Sequence, residues 1–333
     1  MTEIRTSVLA AAEAESLREP LPSLLYGPLR AWPGEMPADR RADYWLDEIR
    51  SALSSPGGAA FVARADGRTA GLAVVADQVW ETRALGRRMA GIRYLAAAGE
   101  ASQRASILER LLDEAVRHTE ERGAECLVHR SYADDAPAIH ALERRGFLLV
   151  DTLLDYVYDY RRDEAPPHSS LPPDVLVRPV APEDLDGLLE VSRRAFAVHS
   201  GRFHSDERIP RSSAVRIYEE WIRSCVEGWA DWVLAAECHG AIVGYSAWKK
   251  PSEMERRHGI TLGHYSIGAV VPEHSARGLF RALTLEGIRL LAGHAQRVEG
   301  PTHVTNVPVQ RAYAALGWRV AGARHGFHRW SKP

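Results

Sequence analysis

The sequence predicts a mixed α/β (α+β) chain of two tandem, related domains. Each should be a mostly antiparallel sheet flanked by helices. Three observations carry this reading. The two halves close alike: Ala136 to Phe147 and Val307 to Trp318 each read as a short helix stopped by a glycine, Gly146 or Gly317, with an aromatic residue opening a strand. Between the halves, residues 162–173 are rich in Pro and Ser and have no apolar periodicity, which marks a linker. The second half alternates short apolar runs with amphipathic ones in the order β-α-α-β-β-β-α-β-α-β. Domains are therefore expected at 1–161 and 174–333, joined by the linker 162–173.

The elements of the second half follow in order. Residues 175–180 form a short strand, and Ala181-Pro182-Glu183-Asp184 opens a helix with an early proline and acids in the first turn. A second helix covers about 212–226. Residues 232–238 and 241–248 form a hairpin around His239-Gly240. Residues 264–271 make the next strand, 279–295 a long amphipathic helix, and 302–305 a buried strand before the closing helix and strands. In the first half, 59–62 with 69–77 read as the hairpin, 107–122 as the long helix and 126–129 as a strand. The segment Ala96 to Gln103 ahead of that helix shows no glycine pattern suited to phosphate.

Bulk properties bound the function. A chain of 333 residues can hold two cores. The formal net charge of −2 and the pI near 6.7 argue against nucleic acid as a partner. No window approaches the apolar length of a membrane span, and Met1-Thr2-Glu3-Ile4-Arg5 does not lead into a signal-peptide pattern. The 3 cysteines, Cys126, Cys225 and Cys238, show no metal spacing, so the expectation is a reduced, cytoplasmic protein without a metal.

The most telling stretch is Val270-Val271-Pro272-Glu273-His274-Ser275-Ala276-Arg277-Gly278-Leu279-Phe280. It reads as a strand end, a tight turn and a helix start. Such a turn gathers backbone N–H groups beside a positive dipole end and suits a pyrophosphate. The stretch resembles the acetyl-CoA loop of the GNAT superfamily of acyltransferases, with Ser275, Gly278 and Phe280 at the family's patterned positions. The second half resembles that family over nearly its full length. The whole chain resembles the tandem arrangement of TDP-fucosamine acetyltransferase, through Phe203-His204-Ser205-Asp206, Tyr218-Glu219-Glu220-Trp221, Ala133-Asp134-Asp135-Ala136-Pro137-Ala138 and Trp80-Glu81-Thr82. Mycothiol synthase is another tandem member.

The resemblance implies acetyl-CoA or another acyl-CoA as co-substrate, held by Ala269, Val270 and Val271 on the strand, by Ser275, Ala276, Arg277, Gly278, Leu279 and Phe280 in the loop, and by Asn306. Backbone groups of Ala269 and Val271 would face the cofactor arm. Tyr313 stands where the family has the acid that protonates the leaving thiolate, and His264 where several members carry a base; Glu237 is a further candidate base. A packing tyrosine, a structural histidine and an ion-paired strand acid are the respective alternatives. Asn306 could equally cap its helix. Phe280 must turn its ring clear of the pyrophosphate. Arg202, His204 and Arg208 lie where the family builds its acceptor wall and could meet an acidic acceptor; a solvated loop is the alternative.

The expected function is N-acyl transfer from acyl-CoA to the amine of a small molecule, an amino sugar or sugar nucleotide first, by a monomer or homodimer away from any membrane. The first domain would be a degenerate copy without a cofactor loop. Competing readings are a non-catalytic acyl-CoA or ligand-binding module, favoured by Ser275 and Phe280, and aminoacyl-tRNA-dependent or mycothiol-synthase-like transfer.

Overall fold

The computed structural model describes residues 3–24, 36–162 and 171–331. Most of the expected linker, 163–170, lies outside the described residues. The first half runs β1 (Ile4–Leu9), α1 (Leu21–Leu24), α2 (Ala38–Leu53), β2 (Ala59–Ala65), β3 (Arg68–Asp77), α3 (Val79–Leu85), β4 (Met89–Ala97), α4 (Ala101–Glu121), β5 (Cys126–Tyr132), α5 (Ala136–Arg144) and β6 (Leu148–Asp159). The second runs β7 (Val175–Pro179), α6 (Leu185–Phe196), α7 (Arg202–Ser205), α8 (Arg211–Ser224), β8 (Trp232–Cys238), β9 (Ala241–Lys249), α9 (Glu253–Arg257), β10 (Leu262–Val270), α10 (Leu279–Leu291), β11 (Arg297–His303), α11 (Val307–Ala315) and β12 (Arg319–Trp330).

Packing divides the chain differently from the linker. One unit is Met1–Thr152 with Ala323–Pro333, and the other is Leu153–Gly322. The expected domains 1–161 and 174–333 are corrected in one respect: each unit takes its last strand from the other half. In the first unit β12 pairs antiparallel with β5, from Arg324 opposite Tyr132 to Trp330 opposite Cys126. In the second, β6 pairs antiparallel with β11, from Asp159 opposite Arg297 to Leu153 opposite His303. Periodicity along a chain cannot show which neighbour a strand selects.

The strand order of the first unit is β1-β2-β3-β4-β5-β12, antiparallel except between β4 and β5. Both faces of β2 and β3 are apolar. Phe61, Ala63, Ala73 and Val75 meet Ile107, Leu108 and Leu111 of α4, while Val62, Leu72 and Val74 meet Trp45, Leu46 and Ile49 of α2. Phe327 from β12 completes the α4-side core. The helix begins six positions before the expected residue 107, because Ala101 to Ser106 are helical without an apolar stripe. The helix start carries Glu100 as its N-cap residue, and Arg104 reaches back to the Ala97 carbonyl at 2.9 Å and to Asp135 at 3.0 Å. An acid at that end opposes an anion.

The second unit has the order β7-β8-β9-β10-β11-β6, antiparallel except between β10 and β11. The β8–β9 hairpin turns through His239 and Gly240 at φ 51° and 79°, the backbone a type I′ turn requires. Helix α10 lies close on β9 because Gly287 leaves room for the buried Trp248 ring; a Cβ there would sit 1.8 Å from it. That helix ends at Leu291 rather than 295, with Gly293 at φ 81° just beyond. Strand β11 spans Arg297–His303 instead of 302–305. Its polar residues are partnered by other side chains, the buried Arg297 with Asp159 at 2.9 Å and the half-buried Glu299 with His264 at 2.9 Å, so the run does not look like a strand from hydropathy.

Candidate active site

Strands β10 and β11 pair over only three positions, Leu262 to His264 against Arg297 to Glu299, although β10 continues to Val270 and β11 to His303. The two therefore part beyond His264. A bulge between Tyr265 and Ile267 shifts the register of β10 against β9 at the point of parting. The bulge also decides which backbone groups face the cleft. The Val271 N–H donates to the Val243 carbonyl at 3.0 Å, and the Ala269 carbonyl lies against Gly244. Both residues thus point their backbone groups at β9, which corrects the expectation for Ala269 and Val271. By alternation, Gly268 and Val270 turn theirs to the open side.

After β10 the chain passes Pro272 and reaches a turn in which Ala276 stands at φ 63° and Gly278 at φ 79°, immediately before α10. Ser275, Ala276 and Gly278 are exposed, whereas Leu279 is buried and anchors the helix start. Two left-handed residues flanking one other residue at a helix N-terminus make an anion-binding concavity. For Ala276 that conformation carries a steric cost. The turn is braced from outside the loop: the Arg277 guanidinium donates to both Asp174 oxygens at 2.7 Å and to His274 Nδ1 at 3.0 Å. The bond from Arg277, with one from Cys238, lowers the Asp174 carboxyl to about 2. Asp174, Cys238 and His239 bring ligand-type atoms within 4.8 Å, but Arg277 is the cation that Asp174 faces.

A cavity of about 520 Å³ opens beside this turn. Its walls are Gly268 to Val270 of β10, the loop and first turn of α10, the segment from His303 to Ala312, and residues from Ala195 at the end of α6 to Ser200 beyond it. Phe280 lines it with its ring engaged, edge-on to Tyr265 at 6.2 Å and tilted against Tyr313 at 5.9 Å. Ser275, Ala276 and Gly278 of the loop stay exposed beside it. Asn306 lines the cavity and also caps α11, accepting from the Val309 N–H at 3.5 Å.

His264 is clasped rather than presented. Its Nδ1–H donates to Glu299 at 2.9 Å and its Nε2–H to Glu255 at 3.1 Å. Burial works against the charged ring, but the two carboxylates overcome it and raise the pKa to about 10. A ring that donates from both nitrogens has no lone pair for a proton, which corrects the expectation of a base. Glu237 is bound to Arg178 at 2.8 Å on β8 and does not line the cavity. Tyr313 is fully buried and does not line the cavity; it stacks on Trp318 at 4.6 Å, and among the described residues its hydroxyl has no hydrogen-bond partner. Burial, with Tyr156 adding to it, holds its proton far above the ordinary phenol range. Gly300 makes room for that hydroxyl, since a Cβ would lie 2.8 Å from it.

Arg202 lies over the Phe203 ring at 4.4 Å, His204 stacks near Tyr218 at 5.7 Å, and the Arg208 backbone N–H binds Asp206 at 3.0 Å. None of the three lines the cavity. Besides His274 and Arg281, the ionisable side chains that line it include His199 and His303, with ring centroids 6.4 Å apart. Sequence reasoning missed both. His199 follows a helix end and His303 closes a strand whose start was misplaced, so neither carried a pattern.

A match to the acetyltransferase (GNAT) family covers residues 24–147, in the half without the nest. The spore coat polysaccharide biosynthesis protein SpsD of Bacillus subtilis is 24% identical over 269 residues, covering 79% of this chain and 85% of that protein. A mycothiol acetyltransferase of Acidothermus cellulolyticus is 32% identical over 211 residues, 59% of this chain and 60% of that enzyme. Among solved structures, a GCN5-related N-acetyltransferase from Sphaerobacter thermophilus superposes with TM-score 0.66 at 15% identity, over 99% of this chain and 96% of that one. A tandem GNAT protein from the clavulanic acid biosynthesis pathway superposes with TM-score 0.59 at 18% identity, over 99% of both.

Proposed function

We propose that the chain is a GNAT-type acyltransferase and that its second unit carries the reaction. The donor is an acyl-CoA, acetyl-CoA first, and the acceptor is the amine of a small molecule, an amino sugar or sugar nucleotide first. The observation that carries this is the meeting of the αL-flanked turn, the parted β10 and β11, and one cavity between them. The residues present fit an acyl-CoA. The amides around Ala276 to Gly278 would hold the pyrophosphate, and the outward groups of Gly268 and Val270 would pair with the pantetheine arm as an added strand does.

Holding donor and acceptor in one cavity supplies effective molarity. Tyr313 packs behind Phe280 of the cavity wall and would hand its proton to the leaving thiolate where a bound ligand reaches its hydroxyl; burial by itself makes it a weaker acid. The first unit, with Glu100 at the corresponding helix start, supports the fold without transferring acyl groups. The polysaccharide role in the name of the Bacillus relative supports a sugar-borne amine.

The test is release of free CoA thiol from acetyl-CoA against a panel of primary amines including glucosamine, with calorimetry of acetyl-CoA on the full chain. Binding with amine-dependent thiol release is expected. Binding without release for any amine would leave a ligand-binding module, and no binding would remove the reading altogether.

A further inference from the structure

We propose that Asp174, Cys238 and His239 form a zinc site beside the turn before α10, and that zinc there weakens acyl-CoA binding. The metal site stands on its own geometry; the coupling rests on the acyl-CoA reading above.

Sheet register brings the three residues together. Strand β7 runs antiparallel to β8 with Val175 opposite Cys238, and continuing that register sets Asp174 opposite His239. Cys238 closes β8 and also pairs with Ala241 of β9, so strands on both sides fix its position. Its Sγ lies 3.2 Å from Asp174 Oδ2, and His239 Nε2 lies 3.7 Å from the same oxygen. All three ligand atoms fall within 4.8 Å of one another. Tetrahedral zinc with bonds of about 2.0–2.3 Å sets its ligand atoms roughly 3.3–3.6 Å apart. The cluster therefore needs only a small closure, which the exposed His239 ring can supply.

Donor chemistry selects the ion. A thiolate, an imidazole and one carboxylate form a borderline-soft set that suits zinc, whereas magnesium and calcium take oxygen ligands. Three protein ligands leave the fourth position to water. Cys238 is buried and Asp174 half-buried, while His239 stands on the solvent side where an ion would enter. On binding, Cys238 Sγ gives up the proton it donates to Asp174 and forms the Zn–S bond, and that proton passes to solvent. One ion is bound for one proton released.

The same carboxylate braces the turn. The Arg277 guanidinium donates to both Asp174 oxygens at 2.7 Å, and its Nη1 sits 3.8 Å from Cys238 Sγ. Zinc on Oδ2 leaves Arg277 a single oxygen and sets a second cation beside it. The brace on the turn at Ala276 and Gly278 loosens, and with it the array of amides for the pyrophosphate. By linkage, bound acyl-CoA weakens zinc by the same factor.

The experiment titrates the full chain with Co(II), a spectroscopic stand-in for zinc, and then with zinc. Co(II) should give a cobalt–thiolate charge-transfer band that zinc erases and magnesium does not. Cys238→Ser should lose the band. His239→Asn keeps the hairpin, because Asn-Gly is a favoured type I′ pair, and should weaken zinc binding on the order of 10- to 100-fold. Calorimetry should find acetyl-CoA bound on the order of tenfold more weakly by wild type in saturating zinc, and unchanged in His239→Asn at the same zinc concentration. No thiolate band in wild type, a band that survives Cys238→Ser, or an unchanged zinc affinity in His239→Asn overturns the site. Zinc binding that leaves acetyl-CoA affinity unchanged overturns the coupling. No acetyl-CoA binding by zinc-free wild type overturns the acyl-CoA reading and the coupling with it, while the cobalt band still decides the site.

Discussion

Two side chains of the second unit, the buried Tyr313 and the half-buried His264, bear opposite polar accounts. Among the described residues the Tyr313 hydroxyl has no partner, so its removal should not harm the folded state. We expect Tyr313→Phe to keep or raise the melting temperature, while kcat falls on the order of 10- to 100-fold; a fall in stability with unchanged turnover would make it a packing residue. His264 is fully partnered, and its folded pKa near 10 lies above the unfolded value of about 6.5. Its stabilisation is complete below the unfolded value and fades as pH climbs through about 10. Thermal melts of wild type between pH 6 and 10 should fall with pH for this reason. His264→Gln should begin lower and show a flatter dependence. The sequence placed His264 on a strand, but not the two partners that α9 and β11 bring to it, Glu255 and Glu299, 9 and 35 residues away.

At the level of the element, the turn before α10 is a strained piece of backbone held by a side chain from the start of β7. Ala276→Gly removes an αL cost of roughly 1 kcal/mol and should raise the melting temperature by a few degrees. Asp174 would act through Arg277 to keep the turn in shape for the pyrophosphate. Asp174→Asn is expected to raise KM for acetyl-CoA on the order of tenfold while kcat stays within about twofold. Exchanging the pair, Asp174→Arg with Arg277→Asp, should recover part of that affinity. Equal effects on kcat and KM would mean that the pair merely stabilises the unit. The turn itself was readable from Gly278 and the strand-to-helix change. Its brace was not, because Asp174 lies 103 residues away. Likewise the register at Ala269 and Val271 depended on a bulge that no residue type announces.

For the whole molecule, the exchange of last strands sets what can be cut. Arg297 is 1% exposed, and its carboxylate partner Asp159 belongs to β6. A fragment of residues 174–333 would lose β6 and leave that guanidinium buried without Asp159. Removing one partner of such a pair costs about 3–5 kcal/mol, so we expect the fragment to aggregate and Asp159→Asn to lower stability by a similar amount. Co-expression with residues 1–173 should restore soluble protein; a well-folded, acetyl-CoA-binding fragment would refute this. By itself the sequence determined what local chemistry fixes. Apolar runs gave the β-α order, glycines after Leu142 and Leu316 marked the helix ends, and the residues around Gly278 gave the strand-to-helix turn. Only the tertiary structure decided which strand completes each unit, which backbone groups of β10 are open, and that the cavity is walled by His199 and His303 while His264 is tied down. The division has a physical cause: propensity and periodicity act between near neighbours in sequence, whereas strand partners, buried ion pairs and cavity walls are chosen by groups that meet only when the chain has packed.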